Sequence, residues 1–457
     1  MSEPITRRDF IRSSAAVGAG AMLSARAFAA ENSPKSKDAI NVALIGGGAQ
    51  GQVLMDSVIK ISEHSPIHFK AVCDIWEPNR DRVHKTFRAY KRYGHVYTKT
   101  KSRSNAYTDF EEMLDTEKDL DAVIVATPDF WHARHAIAAM ERGLHVYCEK
   151  EMSNKLEDAR RMVEVSKEKG LQLQIGHQRR SNPKYRFCYD NLILKNQLLG
   201  RITNINGQWN RSRSACVDLG WPEGSELNEQ VLNKYGFESM PQFRNWRWFK
   251  GKGGGPIVDL GSHQIDIYSW FVGANPKSVI ASGGIDYWTD HQWYDNVITI
   301  FEYEGKEGPV RASYQTTTTN SAGGYFERFM GDEGTLEISE GPQGSVFKEG
   351  WVDEKKWYPY ENQRLIKRAA GMAPQEEVKA VLDVRSSPKP PKYDILVEMN
   401  KPFHQPHLEN FFESVRGNTT LNCPGIIGYE TAVAVLRVNE AVEAGRKLDF
   451  KPHDYEV

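Results

Sequence analysis

The sequence carries almost no net charge, few cysteines and no long apolar run beyond its N-terminus. Its 59 Lys and Arg against 60 Asp and Glu give a formal net charge of −1, so there is no general electrostatic reason to expect nucleic acid or a membrane surface as a partner. After the first 30 residues no apolar run reaches the ~18 residues of a spanning helix, and we expect no membrane anchor. The cysteines form no C-x-x-C pair, which predicts small buried side chains rather than a disulfide framework or a metal site: Cys73, Cys148, Cys188, Cys216 and Cys423.

The first 30 residues have the pattern of an export signal rather than of a folded element. Residues 6–12 read TRRDFIR, a twin-arginine motif, and a weakly apolar stretch of small residues follows at 15–23. Residues 27–29, AFA, form an A-x-A cleavage site. We predict a signal peptide at 1–30 that is handled by the twin-arginine translocase, then a linker at 31–39. The mature protein is expected to be soluble and exported, with a periplasmic location; a disordered basic N-terminus is the alternative.

A glycine-rich turn follows the first predicted strand and organises the rest of the chain. Gly46, Gly48 and Gly51 in residues 40–51, INVALIGGGAQG, have the G-x-G-x-x-G spacing. These glycines allow a tight turn, close approach of a pyrophosphate to the backbone, and close packing of the following helix. The free N–H groups of that helix also favour phosphate. The pattern predicts dinucleotide binding; the alternative is a structural turn in another α/β protein.

The second predicted strand, residues 67–73, ends on an acidic residue at the position that a dinucleotide site requires. The Asp74 carboxylate can accept a hydrogen bond from the ribose 2′-OH and would repel a 2′-phosphate. We therefore predict NAD as the cofactor. NADP stays an alternative, because Arg80 lies six residues further on and its guanidinium suits a phosphate.

The periodicity of the chain changes at about residue 176. From residue 40 to that point, short apolar strands alternate with helices, which predicts a doubly wound parallel sheet. From about residue 201, long stretches with period-two alternation predict an antiparallel sheet with one covered face. We thus predict an α/β fold with a dinucleotide-binding domain at 40–176 and a second α/β domain at 177–457. The charged, proline-containing residues at about 343–391 are interpreted as an excursion from it.

Five stretches in this order resemble the glucose–fructose oxidoreductase/inositol dehydrogenase family, called Gfo/Idh/MocA. They are residues 46–51, the D-x-x-x-x-x-R strand end at 73–80, VATP at 125–128 with His132, CEK at 148–150, and GGG…D…H…D at 253–266. The resemblance implies an N-terminal Rossmann domain and a C-terminal α/β domain with a large, mostly antiparallel sheet. It also implies an NAD(P)-dependent enzyme that oxidises a sugar or polyol, and a homo-oligomer, either a dimer or a tetramer.

Lys150 follows a predicted strand at the carboxyl edge of the parallel sheet, where α/β sites form. The resemblance implies that its ammonium hydrogen-bonds the reacting hydroxyl and helps it to lose its proton. Members of the family usually read Glu-Lys-Pro, whereas this chain reads Glu149-Lys150-Glu151 and so places a second carboxylate beside the site. The alternative is a surface lysine in a charged loop.

Asp259 and His263 are spaced i, i+4 and therefore lie on one face of a predicted helix. The carboxylate either fixes the imidazole tautomer or points with it at one substrate hydroxyl. We predict His263 as the general base and a structural role for Asp266. An Asp-paired histidine in a packed helix is the alternative.

The resemblance implies further contacts, each with a core or surface role as the alternative. Predicted cofactor contacts are Gly46, Gly48, Ala49, Gln50, Gly51, Asp74, Arg80, Thr127, Pro128, His132, Glu149, Lys150 and Gln178. Predicted substrate contacts are Arg179, Arg180, Tyr185, Trp246, Arg247, Trp248 and His263. His404 and His407 lack an evident third ligand, so we expect a helix N-terminus there and no metal.

The sequence thus predicts an exported oxidoreductase that transfers a hydride between a sugar or polyol hydroxyl and a tightly bound nicotinamide. Tight binding is expected because no pool of free nicotinamide cofactor exists outside the cytoplasm. One alternative is a glycosidase that oxidises, eliminates and reduces again on bound NAD⁺. Glycosidases of the family tend to carry Tyr-x-x-His where this chain has residues 260–263, LGSH, and this difference favours the dehydrogenase. The other is a non-catalytic sugar-binding protein, which the intact Lys150, Asp259 and His263 disfavour.

Overall fold

The structure is a computed structural model that describes residues 39–89, 105–342, 344–370 and 390–457. The predicted signal peptide, residues 31–38 of the linker, and residues 343 and 371–389 of the excursion lie outside the described residues. Among the residues that are described, no helix is long and apolar enough to cross a membrane. The five cysteines are buried and unpaired, as predicted.

Within the described ranges, the first sheet has six strands, each parallel to its neighbours, in the order β3-β2-β1-β4-β5-β6. The strands are β1 (Ile40–Ile45), β2 (Ile67–Cys73), β3 (Ala106–Tyr107), β4 (Ala122–Val125), β5 (His145–Cys148) and β6 (Leu173–Ile175). The helices between them are α1 (Ala49–Ile61), α2 (Glu77–Ala89), α3 (Phe110–Thr116), α4 (Asp129–Glu141) and α5 (Leu156–Lys169). The predicted doubly wound sheet is confirmed, and the strand order reverses between β1 and β4, where such folds bind their ligands.

Helices cover both faces of this sheet, which explains its apolar strands. All residues of β4, β5 and β6 are buried. A strand with no solvent-facing side cannot alternate polar and apolar residues, so it reads as a continuous apolar run. These short runs were recognisable in the sequence for that reason.

The second sheet, in the part of the chain that is described, has ten strands in the order β14-β15-β13-β12-β11-β7-β10-β9-β8-β16. They are β7 (Ile202–Asn210), β8 (Pro276–Gly284), β9 (Asn296–Gly305), β10 (Gly308–Thr317), β11 (Tyr325–Gly331), β12 (Gly334–Ile338), β13 (Ser345–Lys348), β14 (Ile366–Arg368), β15 (Lys392–Ile395) and β16 (Leu448–Asp449). The β7–β10 pair is parallel and the other pairs are antiparallel. The predicted large, mostly antiparallel sheet is confirmed.

The helices of the second half are α6 (Pro183–Phe187), α7 (Glu229–Lys234), α8 (Met240–Arg244), α9 (Gly255–Val272), α10 (Tyr358–Asn362), α11 (Gln405–Val415) and α12 (Gly425–Ala444). A π-helical stretch, Cys188–Lys195, continues α6. Helix α9 packs on β7, β9 and β10, and α12 packs against α9 and β8. These two helices form the covered face of the second sheet, so the other face is open.

Helix α11 belongs in space to the first sheet, although it comes late in the chain. Its apolar residues Leu408, Phe411 and Phe412 are buried in the same cluster as Val42 and Leu44 of β1. Helix α12 likewise packs against α5 and β6. The division at residue 176 stays a prediction, but the core of the first sheet is completed by helices from beyond that point.

Candidate active site

The carboxyl ends of β1, β2, β4 and β5 open into a cleft with a volume of about 1070 Å³. The predicted residues that line it are Gly46, Gly48, Ala49, Gln50, Asp74, Thr127, Pro128, Glu149, Lys150, Gln178, Trp246, Arg247, Trp248, Asp259 and His263. The glycine-rich turn and the predicted acid–base residues therefore share one continuous cavity.

The turn between β1 and α1 leaves room for a phosphate group. Gly46 has φ of +96°, and an added Cβ there would lie 2.5 Å from the Ala126 carbonyl oxygen. A Cβ at Gly51 would overlap the Gly46 carbonyl oxygen, whereas one at Gly48 would meet no atom nearer than the Asn79 Nδ2, at 3.8 Å. No side chain caps the N-terminus of α1 at Gly48. The first N–H groups of α1 are thus free for an anion, and the turn fits a pyrophosphate.

Asp74 at the end of β2 is held by backbone groups on both of its oxygens. Its Oδ2 accepts from Gly47 N at 2.8 Å, and its Oδ1 accepts from Trp76 N at 2.8 Å. Burial raises the pKa of the carboxyl, and these hydrogen bonds oppose that rise. Arg80 does not line the cleft, because its Nη1 donates to the Asp74 backbone carbonyl at 2.8 Å. Arg80 lines an adjoining cavity together with Trp76 and Pro78, which also line the cleft, and its contact with the cofactor stays a prediction.

Lys150 and Arg247 meet on one carboxylate. The Lys150 Nζ donates to the backbone carbonyl of Asp259 and to its Oδ1 at 3.1 Å, and the Arg247 Nε donates to the same Oδ1 at 3.0 Å. Burial would raise the pKa of Asp259, but the two cations outweigh it and hold the pKa below its ordinary value. The carboxylate is therefore charged at neutral pH and holds the Lys150 side chain at the cleft wall.

His263 lies one helical turn beyond Asp259 on α9 but does not pair with it. The Asp259 carboxylate is occupied by its two cations, and the His263 Nδ1 has no hydrogen-bond partner among the described residues. Burial, and then the charge of Lys150, lowers the pKa of His263 well below its ordinary value. The first of the two predicted roles of Asp259, fixing the imidazole tautomer, is thus not seen. The imidazole is therefore neutral at neutral pH.

Arg179, Arg180 and Tyr185 lie behind the cleft wall rather than in it, which corrects their predicted contact with substrate. Arg180 donates from Nε to both oxygens of Asp266, at 2.8 and 2.9 Å. Arg179 pairs with the fully buried Glu327, and the Tyr185 hydroxyl donates to that carboxylate at 2.6 Å. Buried carboxylates take up these donors, because an unpaired charge would be costly there. The structural role of Asp266 stays a prediction, and its buried pairing with Arg180 is consistent with it.

His132 and Gly51 also lie outside the cleft lining. The two ring nitrogens of His132 lie 2.6 Å from the Glu151 carbonyl oxygen and 2.7 Å from the Thr127 carbonyl oxygen. Its imidazole thus ties two loops together, and Gly51 packs α1 against the Gly46 backbone. Both support the cofactor loops from behind, which corrects their predicted direct contact.

Several residues of the cleft carried no usable signal in the sequence. Asp129, the first residue of α4, lines the cleft, and burial raises its pKa to about 7 against the opposing charges of Arg247 and Lys150. Trp209 of β7 and Tyr325 of β11 stack at 4.7 Å and lie on the same wall as His263. They come from strands that are remote in sequence, so only the folded sheet brings them together.

His404 and His407 bind protein groups. The ring nitrogens of His407 lie 2.7 Å from the Ser181 Oγ and 2.8 Å from the Ile175 carbonyl oxygen. His404 is the residue before the start of α11, as predicted; its side chain makes no capping hydrogen bond, and its Nε2 lies 2.9 Å from the Gln50 Nε2. Among the described residues, one group has potential metal-ligand atoms within 4.8 Å of one another: Asp218, Asp290 and His291. The His291 Nε2 lies 3.1 Å from Asp218 and the ring stacks on Trp248 at 4.0 Å, contacts that account for this grouping.

The fold and the cleft define a two-domain protein with a Rossmann dinucleotide site. A family model described as "Oxidoreductase family, NAD-binding Rossmann fold" matches residues 40–177, and one described as "GFO/IDH/MocA C-terminal domain" matches 192–337. The chain belongs to the GFO/IDH/MocA family and is an NAD-dependent oxidoreductase. A twin-arginine translocation signal sequence matches residues 4–24, so the chain carries an export signal, as predicted.

Among curated proteins, the chain is similar to levoglucosan dehydrogenase of Pseudarthrobacter phenanthrenivorans, with 25% identity over 67% of this chain and 73% of that protein. It is also similar to the alpha-N-acetylgalactosaminidase of Tannerella forsythia, with 30% identity over 37% of this chain and 38% of that protein. A solved structure of levoglucosan dehydrogenase in complex with NADH has a TM-score of 0.63 and 17% identity, over 91% of this chain and 100% of that one. This structural likeness confirms the fold.

Glu151, which stands where the family usually has proline, is 1% exposed. The Lys150–Glu151 peptide bond is cis. The Glu151 Oε1 accepts from Met152 N at 2.8 Å, and the Glu151 Oε2 has no hydrogen-bond partner among the described residues. Burial raises the pKa of this carboxyl to about 8. The side chain is therefore a neutral carboxylic acid at neutral pH, not a second anion beside Lys150.

We predict that Glu151→Gln makes the protein more stable than the wild type at alkaline pH, with little difference at pH 5. The unfolded carboxyl loses its proton above its ordinary pKa of 4.5, whereas the folded one keeps it up to about 8. The contribution of Glu151 to stability is thus complete below the lower pKa and is lost as pH rises through the upper one. Glutamine keeps the neutral form throughout.

The measurement is the free energy of unfolding in denaturant at several pH values between 5 and 8.5. Glu157→Gln, an exposed change on α5, is the matched control and should run parallel to the wild type. A Glu151→Gln profile that also runs parallel to the wild type would show that Glu151 is ionised in the folded protein.

Proposed function

We propose that this exported oxidoreductase transfers a hydride between a sugar or polyol hydroxyl and a tightly held NAD. The observation that carries the proposal is the shared cavity, which the phosphate-accepting turn, Lys150 and His263 all line. Bound NAD supplies the acceptor for the hydride. The turn, Asp74 and the residues after β4 would hold it.

The two acid–base groups have complementary chemistry. An ammonium group donates hydrogen bonds and accepts none, so Lys150 orients the reacting oxygen as a donor. The neutral imidazole of His263 accepts the hydroxyl proton as the C–H bond gives up its hydride. Asp259 acts as a positioning residue, since it holds Lys150 through its carboxylate and its backbone carbonyl.

The sugar class is supported by the polar and aromatic wall around these groups. Trp246, Trp248, Trp209 and Tyr325 line the cleft with Arg247, and such faces suit a hydroxylated ring. The dehydrogenase relative is named for levoglucosan, an anhydrosugar. The substrate of this chain is proposed at the level of its class.

A second candidate is a glycosidase that oxidises, eliminates, adds water and reduces again on the same bound NAD. It is favoured by the similarity to an alpha-N-acetylgalactosaminidase, and net hydrolysis needs no external electron acceptor. Release of the aglycone with no accumulation of NADH would identify it. Accumulation of NADH in single turnover on a free sugar identifies the dehydrogenase.

We predict that Lys150→Met and His263→Asn each slow hydride transfer by ~10²-fold or more, the usual contribution of a positioned acid–base group. Cofactor should stay bound, because neither residue belongs to the glycine-rich turn. The measurement is single-turnover NADH absorbance across a panel of sugars and polyols, with released dinucleotide quantified by mass spectrometry in the same preparation.

Matched controls are Lys155→Met and His453→Asn, which change the same residue types at exposed positions. Both should transfer hydride at the wild-type rate. A Lys150 or His263 variant with the wild-type rate would remove that residue from the acid–base assignment. Wild-type enzyme that holds NAD but reduces it with no member of the panel would argue against the sugar or polyol class.

We predict tighter binding of NAD than of NADP. The Asp74 carboxylate at the end of β2 would repel a 2′-phosphate, and the Arg80 guanidinium donates to a backbone carbonyl. Dissociation constants measured for both cofactors test this, and Asp74→Ser should narrow the gap. A wild-type preference for NADP would show that the Asp74 end of the cleft is read incorrectly.

We also propose a homo-oligomer that pairs through the open face of the second sheet. Ile280 of β8 and Ile300 of β9 are cross-strand partners, and they are exposed together with Ile298. Apolar groups on an open sheet face are a usual dimer surface. Sedimentation should show a dimer or tetramer that Ile298→Glu weakens; a wild-type monomer at micromolar concentration would contradict the proposal.

A further inference from the structure

Residues 211–254, the cleft-spanning segment, leave the second sheet after β7 and return to it at α9. The segment carries helices α7 and α8 and has its own apolar cluster, in which Leu232, Phe237 and Met240 are buried. Ile75 and Phe130, which follow β2 and β4 of the first sheet, pack against this cluster. The segment of the second domain is thus seated on the first domain by apolar burial.

On the β2 side, the segment contacts Trp76, two residues beyond Asp74. The Trp76 Nε1 donates to the Ser225 carbonyl at 2.6 Å. The Arg244 guanidinium lies over the Trp76 ring at 4.4 Å, and the Phe243 ring meets it edge-on at 6.0 Å. A hydrogen bond, a cation–π contact and a ring contact therefore fix the segment at the strand that carries the ribose-binding carboxylate.

On the side of β3 and β4, the segment is fixed by a separate set of contacts. The Trp131 Nε1 donates to the Tyr235 carbonyl at 3.0 Å, and the Tyr235 hydroxyl donates to the Thr108 carbonyl at 3.1 Å. Lys234 pairs with Asp109 at 3.2 Å. The segment is thus tied to the first domain at the ends of β2, β3 and β4.

The inner surface of the segment faces the dinucleotide cleft. Tyr235, Phe243 and Arg244 line the same cavity as Asp74 and Trp76. Aromatic rings and a guanidinium plane are groups on which a purine stacks. Arg244 and Phe243 contact Trp76, two residues beyond Asp74, so we assign this surface to the adenosine end of the cleft.

We propose that the cleft-spanning segment is an adenosine clamp, in which Arg244, backed by Trp76 and Phe243, holds the adenosine half of NAD. The second domain thereby contributes directly to cofactor binding. Release of the dinucleotide requires the segment to separate from its contacts on the first domain. Such a clamp gives the slow cofactor release that an exported dinucleotide enzyme needs. The inference rests on the proposed cofactor site but not on the substrate.

The test is the dissociation rate of NADH from the full-length protein, followed by fluorescence after addition of excess NAD. Arg244→Ala should raise this rate by about tenfold, the size of effect expected when an arginine that contacts a ligand is truncated. It should weaken the binding of ADP-ribose by a similar factor and leave the binding of nicotinamide mononucleotide unchanged, since only ADP-ribose has the adenosine half. Arg244→Lys, which keeps the charge without the planar stack, should fall between it and the wild type.

Arg213→Ala is the matched control, because Arg213 lies in the same segment and contacts Tyr287 of its own domain. Arg213→Ala should leave the NADH dissociation rate and the affinity for ADP-ribose unchanged. Melting temperatures of all the variants check that they fold. An unchanged NADH dissociation rate in Arg244→Ala, or an equal loss for nicotinamide mononucleotide, would overturn the clamp. No sugar enters these assays, so failure of the sugar panel leaves the result on the clamp intact.

Discussion

The carboxylate of Asp259 joins the two domains at the point where chemistry is proposed. Lys150 reaches it from the end of β5, and Arg247 reaches it from the turn that precedes α9. A carboxylate taken partly out of water is stable only while its cations stay in place. The same contact therefore fixes the lysine, the start of α9 and, one turn later, His263. This ion pair is thus one of the contacts that set the position of the substrate end relative to the cofactor end.

A second layer of buried charge pairs supports that arrangement from behind. Arg180 pairs with Asp266 of α9, and Arg179 pairs with Glu327 of β11, both with little or no exposure. Their strength comes from mutual pairing, because any member left alone would carry the full cost of a buried charge. Arg179 and Arg180, which follow β6 in the sequence, thus support the wall of the cleft from behind.

Local patterns account for what could be predicted from the sequence. Three features each depend on a few neighbouring residues and can therefore be recognised in the sequence. They are the glycine spacing, the apolar strands of the parallel sheet, and the i, i+4 spacing of Asp259 and His263. Trp209, Tyr325 and Arg244 reach the cleft only through strand order and through the path of residues 211–254. The partner of Asp259 was missed for the same reason: helical spacing indicates a shared face but not which cation arrives from another strand.

The packing of α11 on the first sheet has a consequence for the order of events in the cell. The apolar face of β1 meets Leu408 and Phe411, which are synthesised more than 350 residues after it. The dinucleotide-binding domain therefore cannot complete its core on the ribosome while the second domain is still being made. Since the twin-arginine route carries folded proteins, synthesis to beyond α11 must precede translocation. Because α11 comes late in the chain, the first domain alone cannot reach the folded state that this export route requires.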